Sequence, residues 1–455
     1  MKHNGSFAGG VHPRENKRFA KGRPIEPFAA GEQVAVLLSQ HIGAICKPTV
    51  AKKEKVQAGQ VVGRAEAFVS APVHSPVDGL VKDITLQPHP VMGRVMGVII
   101  ETDPESNKIK QPCPGRFGLD FDASAWAPAA IRDAIQEAGV VGMGGAGFPT
   151  RVKLEPNPKM PKEVIIINGC ECEPFITCDF RVMLEWTDQV LAGVMLAARA
   201  AECSNVKIAI EDNKPEALVA MHESVRKLRA AKSIDIVAVP TKYPQGGERQ
   251  LIRAVWGKDV PVGGIPPMIG VVVLNVATCA AIADAVICGN PLTHRVVTVS
   301  GSSIPRPGNF YVPIGTEVGD LIEHCGGLDD RIAKVIMGGP MMGFAIADLS
   351  TPITKTGGAI TLLTKEEITA AKYERRETPC IRCGRCLQAC PAGINPTRIA
   401  HAVKYGMLDV AETYHMNACI ECGCCSYICP ANIELTGYIK TGKILAARAK
   451  KRIPQ

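Results

Sequence analysis

The chain is 455 residues long, 46% hydrophobic and 21% charged, the composition of a soluble globular protein of roughly three domains. Its net charge of +8 gathers partly in Lys2 to Arg23 and Lys440 to Arg452. Aromatic residues make up only 5% and no nucleic-acid module is visible, so that charge argues for a solvated face or an acidic protein or lipid partner, and against nucleic acid.

No run of ~18 apolar residues marks a transmembrane helix, and the first ten residues lack the apolar core of a signal peptide. The 18 cysteines, in so long a chain, point to a reducing cytoplasmic setting instead of a disulfide framework. Residues 1–30, rich in Gly, Pro, Lys and Arg, are expected to form an extended arm that includes Gly9-Gly10-Val11-His12-Pro13. Residues 31–111 give short alternating β runs: Val34 to Leu38, Gln60 to Gly63, Gly79 to Ile84 and Val95 to Ile100. With Ser75-Pro76-Val77-Asp78-Gly79-Leu80-Val81, this stretch resembles the flattened β-sandwich of lipoyl and biotinyl domains. A carrier domain holds its group on a Lys at a hairpin tip, whereas Lys82 falls inside a strand pattern. The resemblance therefore implies a structural relative without the group.

Pro112 to Pro128 reads as a linker and Ala129 to Gly139 as a helix. Four glycines then fall within six positions, at Gly142, Gly144, Gly145 and Gly147, where converging backbone N–H groups can meet an anion, with Lys153 adding a point charge. A tight Gly-rich turn is the plainer reading of that loop alone. Next, Val164 to Ile167 is a buried parallel-type strand that ends in Asn168-Gly169-Cys170-Glu171-Cys172-Glu173. A helix from Met183 to Ala201, strand Val206 to Ile210, helix Pro215 to Ala230 and strand Ile234 to Val239 follow. Gly246 and Gly247 open a further helix, and strand Val271 to Leu274 ends in Asn275-Val276-Ala277-Thr278. This alternation predicts a parallel sheet layered with helices, its polar loops sharing one pocket. Val296 to Gly301, Tyr311 to Thr316 and a helix at Val318 to Cys325 lead to Met337-Gly338-Gly339-Pro340-Met341-Met342-Gly343, where Met is read as packing and not as metal ligand.

The last quarter writes one pattern twice. Cys380, Cys383, Cys386 and Cys390, then Cys419, Cys422, Cys425 and Cys429, each follow C-x2-C-x2-C-x3-C-P, the bacterial ferredoxin run for [4Fe–4S] clusters. Zinc needs only two pairs per site and leaves the third Cys and the trailing Pro unexplained. In the two-cluster pattern the fourth Cys serves the other cluster, so Cys429 joins Cys380, Cys383 and Cys386, and Cys390 joins Cys419, Cys422 and Cys425. Cys424 falls outside the ligand spacing, and Cys170, Cys172 and Cys178 are expected to be free thiols. Helices are expected at Pro396 to Tyr405, Leu408 to His415 and, as a basic tail, Leu435 to Arg452.

G-x-G-G-A-G-F-P-T-x-x-K, N-x-x-E-x-E-P, G-x-E-x-x-L-I and N-V-x-T, over roughly Ala129 to Asn290, resemble the flavin-bearing, NADH-binding subunit of respiratory complex I. That resemblance implies that Gly142, Gly144, Gly145, Lys153, Asn168, Glu171, Gly246, Asn275 and Thr278 hold FMN, with Phe148, Glu173 and Glu248 towards NAD(H). Cys170 and Gly247 depart from the acidic residues of that pattern. The whole order resembles the RnfC family, a component of Rnf-type complexes. The implied architecture is multidomain α/β plus β: an arm (1–30), a lipoyl-like β-sandwich (31–111), a complex-I-flavoprotein-like α/β domain (129–290), an SLBB β-grasp domain (291–365) and a helical two-cluster ferredoxin domain (370–455). The implied activity is electron exchange among NAD(H), FMN and two [4Fe–4S] clusters. It would take place in a peripheral protein at the cytoplasmic face of an ion-translocating membrane complex, with ferredoxin reached through other subunits. A soluble cobalamin-reductase-type flavoprotein lacks the first 128 residues, a scaffold protein of related complexes lacks the cluster motifs, and a plain ferredoxin-like carrier leaves the flavin pattern unexplained.

Overall fold

The computed structural model describes residues 5–105, 117, 121–228, 233–370 and 376–452. Residues 112–116 and 118–120 of the expected linker, Pro112 to Pro128, lie outside them. The β-sandwich packs a four-stranded sheet, which holds Gln33–Leu37, Gly79–His89 and Gly93–Thr102, against a three-stranded one around Val61–Arg64. Its alternating Val and Ile side chains, among them Val34, Val36, Val62, Val98 and Ile100, form the core. Lys82 sits at a register shift within the long strand Gly79–His89, and its Nζ donates to Gln33 Oε1 at 3.2 Å.

Four parallel strands form the centre of the α/β domain, in the order Ile234–Val239, Val206–Glu211, Val164–Gly169, Val271–Asn275. Ile165, Ile167, Ile208 and Ile210 line one face and Val164, Ile166 and Val273 the other, so both faces are covered, as continuous apolar runs require. Helix Pro128–Glu137 precedes the Gly-rich loop. The stretch expected as one helix from Met183 to Ala201 is two, Cys178–Glu185 and Thr187–Ala200. Trp186, at φ −120° and ψ 32°, leaves the helical region, and the Thr187 hydroxyl donates to the Met183 carbonyl at 2.6 Å. Side-chain back-bonding of this kind bends a helix, and an apolar pattern does not reveal it.

A six-stranded mixed sheet contains His294–Ser300, Gly308–Pro313, Ile332–Met337 and Ala359–Thr364. Its edge strand is supplied by the arm: Ile25–Pro27 pairs in parallel with Asn309 to Tyr311. The arm is thus not a free extension but is fixed to three domains. In the cysteine-rich domain, helices Pro396–Lys404, Leu408–Thr413 and Leu435–Arg452 pack around Ile399, Val403, Ala411, Met416 and Ile439. No helix among the described residues is long and apolar enough to cross a membrane.

Candidate functional site

Asn168 and Asn275 are direct register partners at the carboxyl ends of adjacent parallel strands. The chain winds one way from Val164–Gly169 and returns on its other side as Val271–Asn275, so these residues stand at the switch point, where open α/β sheets bind ligands. The Gly-rich loop is pinned over this point. Met143 N donates to Thr278 Oγ1 at 2.9 Å and Gly142 N to the Phe148 carbonyl at 2.9 Å. A Cβ on Gly144 would stand 3.0 Å from Asn275 Cβ, whereas one on Gly145 would meet nothing within 4 Å. A side chain at position 144 would thus press on Asn275, whereas position 145 opens on free space.

Asn275 caps helix Val276–Cys288, its Oδ1 accepting from Ala277 N and Thr278 N, and its Nδ2 donates to Asp179 Oδ2 at 2.6 Å. Asn168 Nδ2 donates to the Gly246 carbonyl at 2.8 Å, which ties in the fourth loop. At the rim Lys153 Nζ donates to the Val273 carbonyl at 3.1 Å and to Glu248 Oε1 at 3.0 Å, both side chains partly exposed. Gly142, Gly144, Gly145, Phe148, Lys153, Asn168, Gly246, Glu248, Asn275 and Thr278 therefore lie on the loops around this switch point. Exposed loop backbone at Gly144 and Gly145, a cation and two strand-end carboxamides fit the phosphate and polar edge of a flavin mononucleotide.

Glu171 and Glu173 are turned to other groups. At Glu171 φ is +49°, and Oε1 accepts from Asp179 N at 2.7 Å and Phe180 N at 3.4 Å, while Oε2 lies 3.7 Å from Lys17 Nζ. Glu173 accepts from Met341 N at 3.1 Å and Met342 N at 2.8 Å, so the Met-rich run closes over this carboxylate. Burial raises both carboxyls to about 7, against the pull of Lys17 on Glu171 and of the two amide donors on Glu173. Lys17, Asp179 and Tyr243 carry no motif signal. Lys17 is buried and donates to the carbonyls of Glu171 (2.8 Å), Glu173 (3.0 Å) and Ile176 (2.6 Å), and nothing local in a basic Gly/Pro-rich arm marks it.

A small pocket is lined by Cys390, Cys419, Cys422 and Cys425, the crossed set that the two-cluster spacing implies, together with Cys424. In the other motif Cys429 packs against the apolar patch that holds Cys386 and Leu435. The two halves repeat each other in detail. Arg382 N donates to Cys380 Sγ at 3.4 Å and Glu421 N to Cys419 Sγ at 3.3 Å, and Cys386 and Cys425 each meet a Thr hydroxyl, at Thr397 and Thr436. Cys380 and Cys383 are exposed, whereas Cys422 and Cys425 are buried. The buried Tyr243 spans to the inner motif, its Oη donating to the Cys422 carbonyl at 2.8 Å. Cys424, also buried, points its Sγ at the Tyr243 carbonyl, 3.9 Å away. Cys172 accepts from Gly246 N at 3.3 Å and is a free thiol, as are Cys170 and Cys178.

A switch-point pocket of this make, joined through one tyrosine to paired four-cysteine motifs, defines a flavin and iron–sulfur electron-transfer protein. Family models match in the same order: an RnfC barrel sandwich hybrid domain over residues 5–105, a Nuo51 FMN-binding domain over 135–284, an SLBB domain over 296–345 and a 4Fe-4S dicluster domain over 372–430. The chain is 42% identical to a subunit of the proton-translocating ferredoxin:NAD(+) oxidoreductase complex of Clostridium ljungdahlii, covering 87% of this chain and 84% of that one. It is 39% identical to the corresponding subunit of the Na(+)-translocating complex of Acetobacterium woodii, covering 91% and 90%. The chain belongs to the RnfC family, a subunit of ion-translocating ferredoxin:NAD(+) oxidoreductase complexes. An NAD+-reducing [NiFe]-hydrogenase in the air-oxidized state shares the fold, at 22% identity and a TM-score of 0.50 over 70% of this chain, which spans 61% of the hydrogenase chain.

Proposed function

We propose that this protein is the electron-transfer subunit of an Rnf-type complex, exchanging electrons between NAD(H), FMN and two [4Fe–4S] clusters at the cytoplasmic face of the membrane. Through the other subunits it links ferredoxin and NAD redox to ion translocation. Gly142, Gly144, Gly145 and Lys153 would hold the flavin phosphate, and Asn168, Gly246, Asn275 and Thr278 its polar edge. Bound FMN supplies the exchange between two-electron hydride and one-electron chemistry. Phe148 and Glu248 flank the open side, where a dinucleotide would enter, and Glu171 and Glu173 fix the loop beneath it.

The observation that carries this reading is the path from Asn168 through Gly246 and Tyr243 to Cys422. On this reading the cluster of Cys390, Cys419, Cys422 and Cys425 is proximal to the flavin and that of Cys380, Cys383, Cys386 and Cys429 distal. The exposure of Cys380 and Cys383 supports a distal cluster that faces other subunits. The barrel-sandwich domain over residues 5–105 favours this role over that of a soluble reductase. Quantifying FMN and iron in anaerobically purified protein, then adding NADH, tests it. Stoichiometric flavin that bleaches is expected, and protein that binds clusters but no FMN would refute it.

A further inference from the structure

We infer that the arm segment Gly9–Val11, together with Tyr243, is a positioning element for electron transfer between the flavin and the proximal cluster. The inference rests on the electron-relay reading above. Gly10 N donates to the Ala389 carbonyl at 2.9 Å, next to the crossed ligand Cys390. One residue on, Val11 and Tyr243 exchange both backbone hydrogen bonds, Val11 N to Tyr243 O at 2.8 Å and Tyr243 N to Val11 O at 2.9 Å. Tyr243 Oη then reaches the Cys422 carbonyl. The arm is thus wedged between the flavin-side turn and the backbone around two proximal-cluster ligands, Cys390 and Cys422.

Only glycine fits there. Gly9 and Gly10 have φ of +78° and +85°. A Cβ on Gly9 would stand 2.7 Å from the Cys390 carbonyl oxygen, and one on Gly10 would stand 2.7 Å from the Tyr243 carbonyl oxygen. Both obstacles are backbone and cannot swing aside. Val11, Tyr243, Ala389, Cys422 and Cys424 form one buried apolar cluster, so the gap between the redox sites is packed with protein. Further anchors set the segment in place: Lys242 Nζ donates to the Phe7 carbonyl at 2.9 Å and lies 4.6 Å from the centre of the Phe7 ring, and Lys17 holds the Glu171–Ile176 loop. Electron tunnelling falls exponentially with the gap, so an element that fixes this spacing sets the rate without touching either substrate.

Gly10→Ala and, separately, Tyr243→Phe test this in rapid anaerobic mixing of the full-length, cofactor-loaded protein with NADH. Tyr243→Phe deletes one hydroxyl and is not expected to disturb folding. Flavin bleaching should keep its wild-type rate in both variants, while the cluster reduction that follows slows several-fold, as an exponential dependence on a widened gap requires. The EPR signal of the proximal cluster should shift and the distal one stay. Wild-type cluster reduction in Tyr243→Phe overturns the inference, whether Gly10→Ala is loaded normally or loses its clusters, because the arm would then be scaffolding alone. If NADH fails to bleach the flavin of the wild-type protein, it is the relay reading itself that has failed.

Discussion

Replacing Lys17 by Met removes the cation that ties the arm to the Glu171–Ile176 loop beside the switch point. The ammonium is buried, donates to three carbonyls at 2.6–3.0 Å and stands 3.7 Å from the Glu171 carboxylate. A hydrogen bond to a charged group is worth about 1.5–3 kcal/mol, and removing one partner of a buried ion pair costs about 3–5 kcal/mol. Burial of the ammonium, which lowers its pKa, offsets part of the sum, so a local loss of about 3–5 kcal/mol is the reasonable magnitude. The Asp179 and Phe180 amides, both bonded to Glu171 Oε1, report it directly. Their hydrogen exchange should accelerate on the order of a hundred- to a thousandfold. Acceleration below about fivefold, or roughly 1 kcal/mol, would refute the claim that the arm holds this loop.

Other perturbations follow from the same geometry. Cys429→Ala should damage the cluster of Cys380, Cys383 and Cys386 and spare the proximal one, and EPR that loses the proximal signal instead would reverse the crossed assignment. Lys153→Met should weaken FMN binding by about 1.5–3 kcal/mol, roughly ten- to a hundredfold in Kd, as read by fluorescence titration of flavin-free protein. Glu173 gives a pH dependence. Its folded pKa of about 7 exceeds the ordinary carboxyl value of 4.5, so between those values the folded state keeps a proton that the unfolded carboxyl has released. Stability from this group is therefore full below about pH 4.5 and fades as pH rises through about 7. Denaturant titrations across that window should show Glu173→Gln with a flatter pH profile than wild type.

Much of this was legible in the sequence because it is written in local pattern. The cysteine spacing gives the cluster motifs, and continuous runs such as Val164–Ile167 and Val271–Leu274 give strands whose polar ends, Asn168 and Asn275, meet in register at the switch point. What stayed hidden depends on docking between distant segments. The arm reads as extended because it has no periodicity of its own. Its strand Ile25–Pro27 exists only by pairing with Asn309 to Tyr311, and its Lys17 is buried only by the loop it binds. Nor does any motif show that Glu173 faces Met341 and Met342, since the Met341 bond joins residues 168 apart in sequence. Tyr243 looks like an ordinary turn residue until its hydroxyl is seen on the Cys422 carbonyl.

The electron relay itself is tested most directly by mixing anaerobic, FMN- and iron-loaded protein with NADH and following flavin and cluster absorbance together, with EPR samples frozen along the way. The account predicts flavin bleaching first, then reduction of the cluster held by Cys390, Cys419, Cys422 and Cys425, and the exposed cluster last. Clusters that are reduced while the flavin stays oxidised, or a loaded flavin that NADH leaves unchanged, would contradict it.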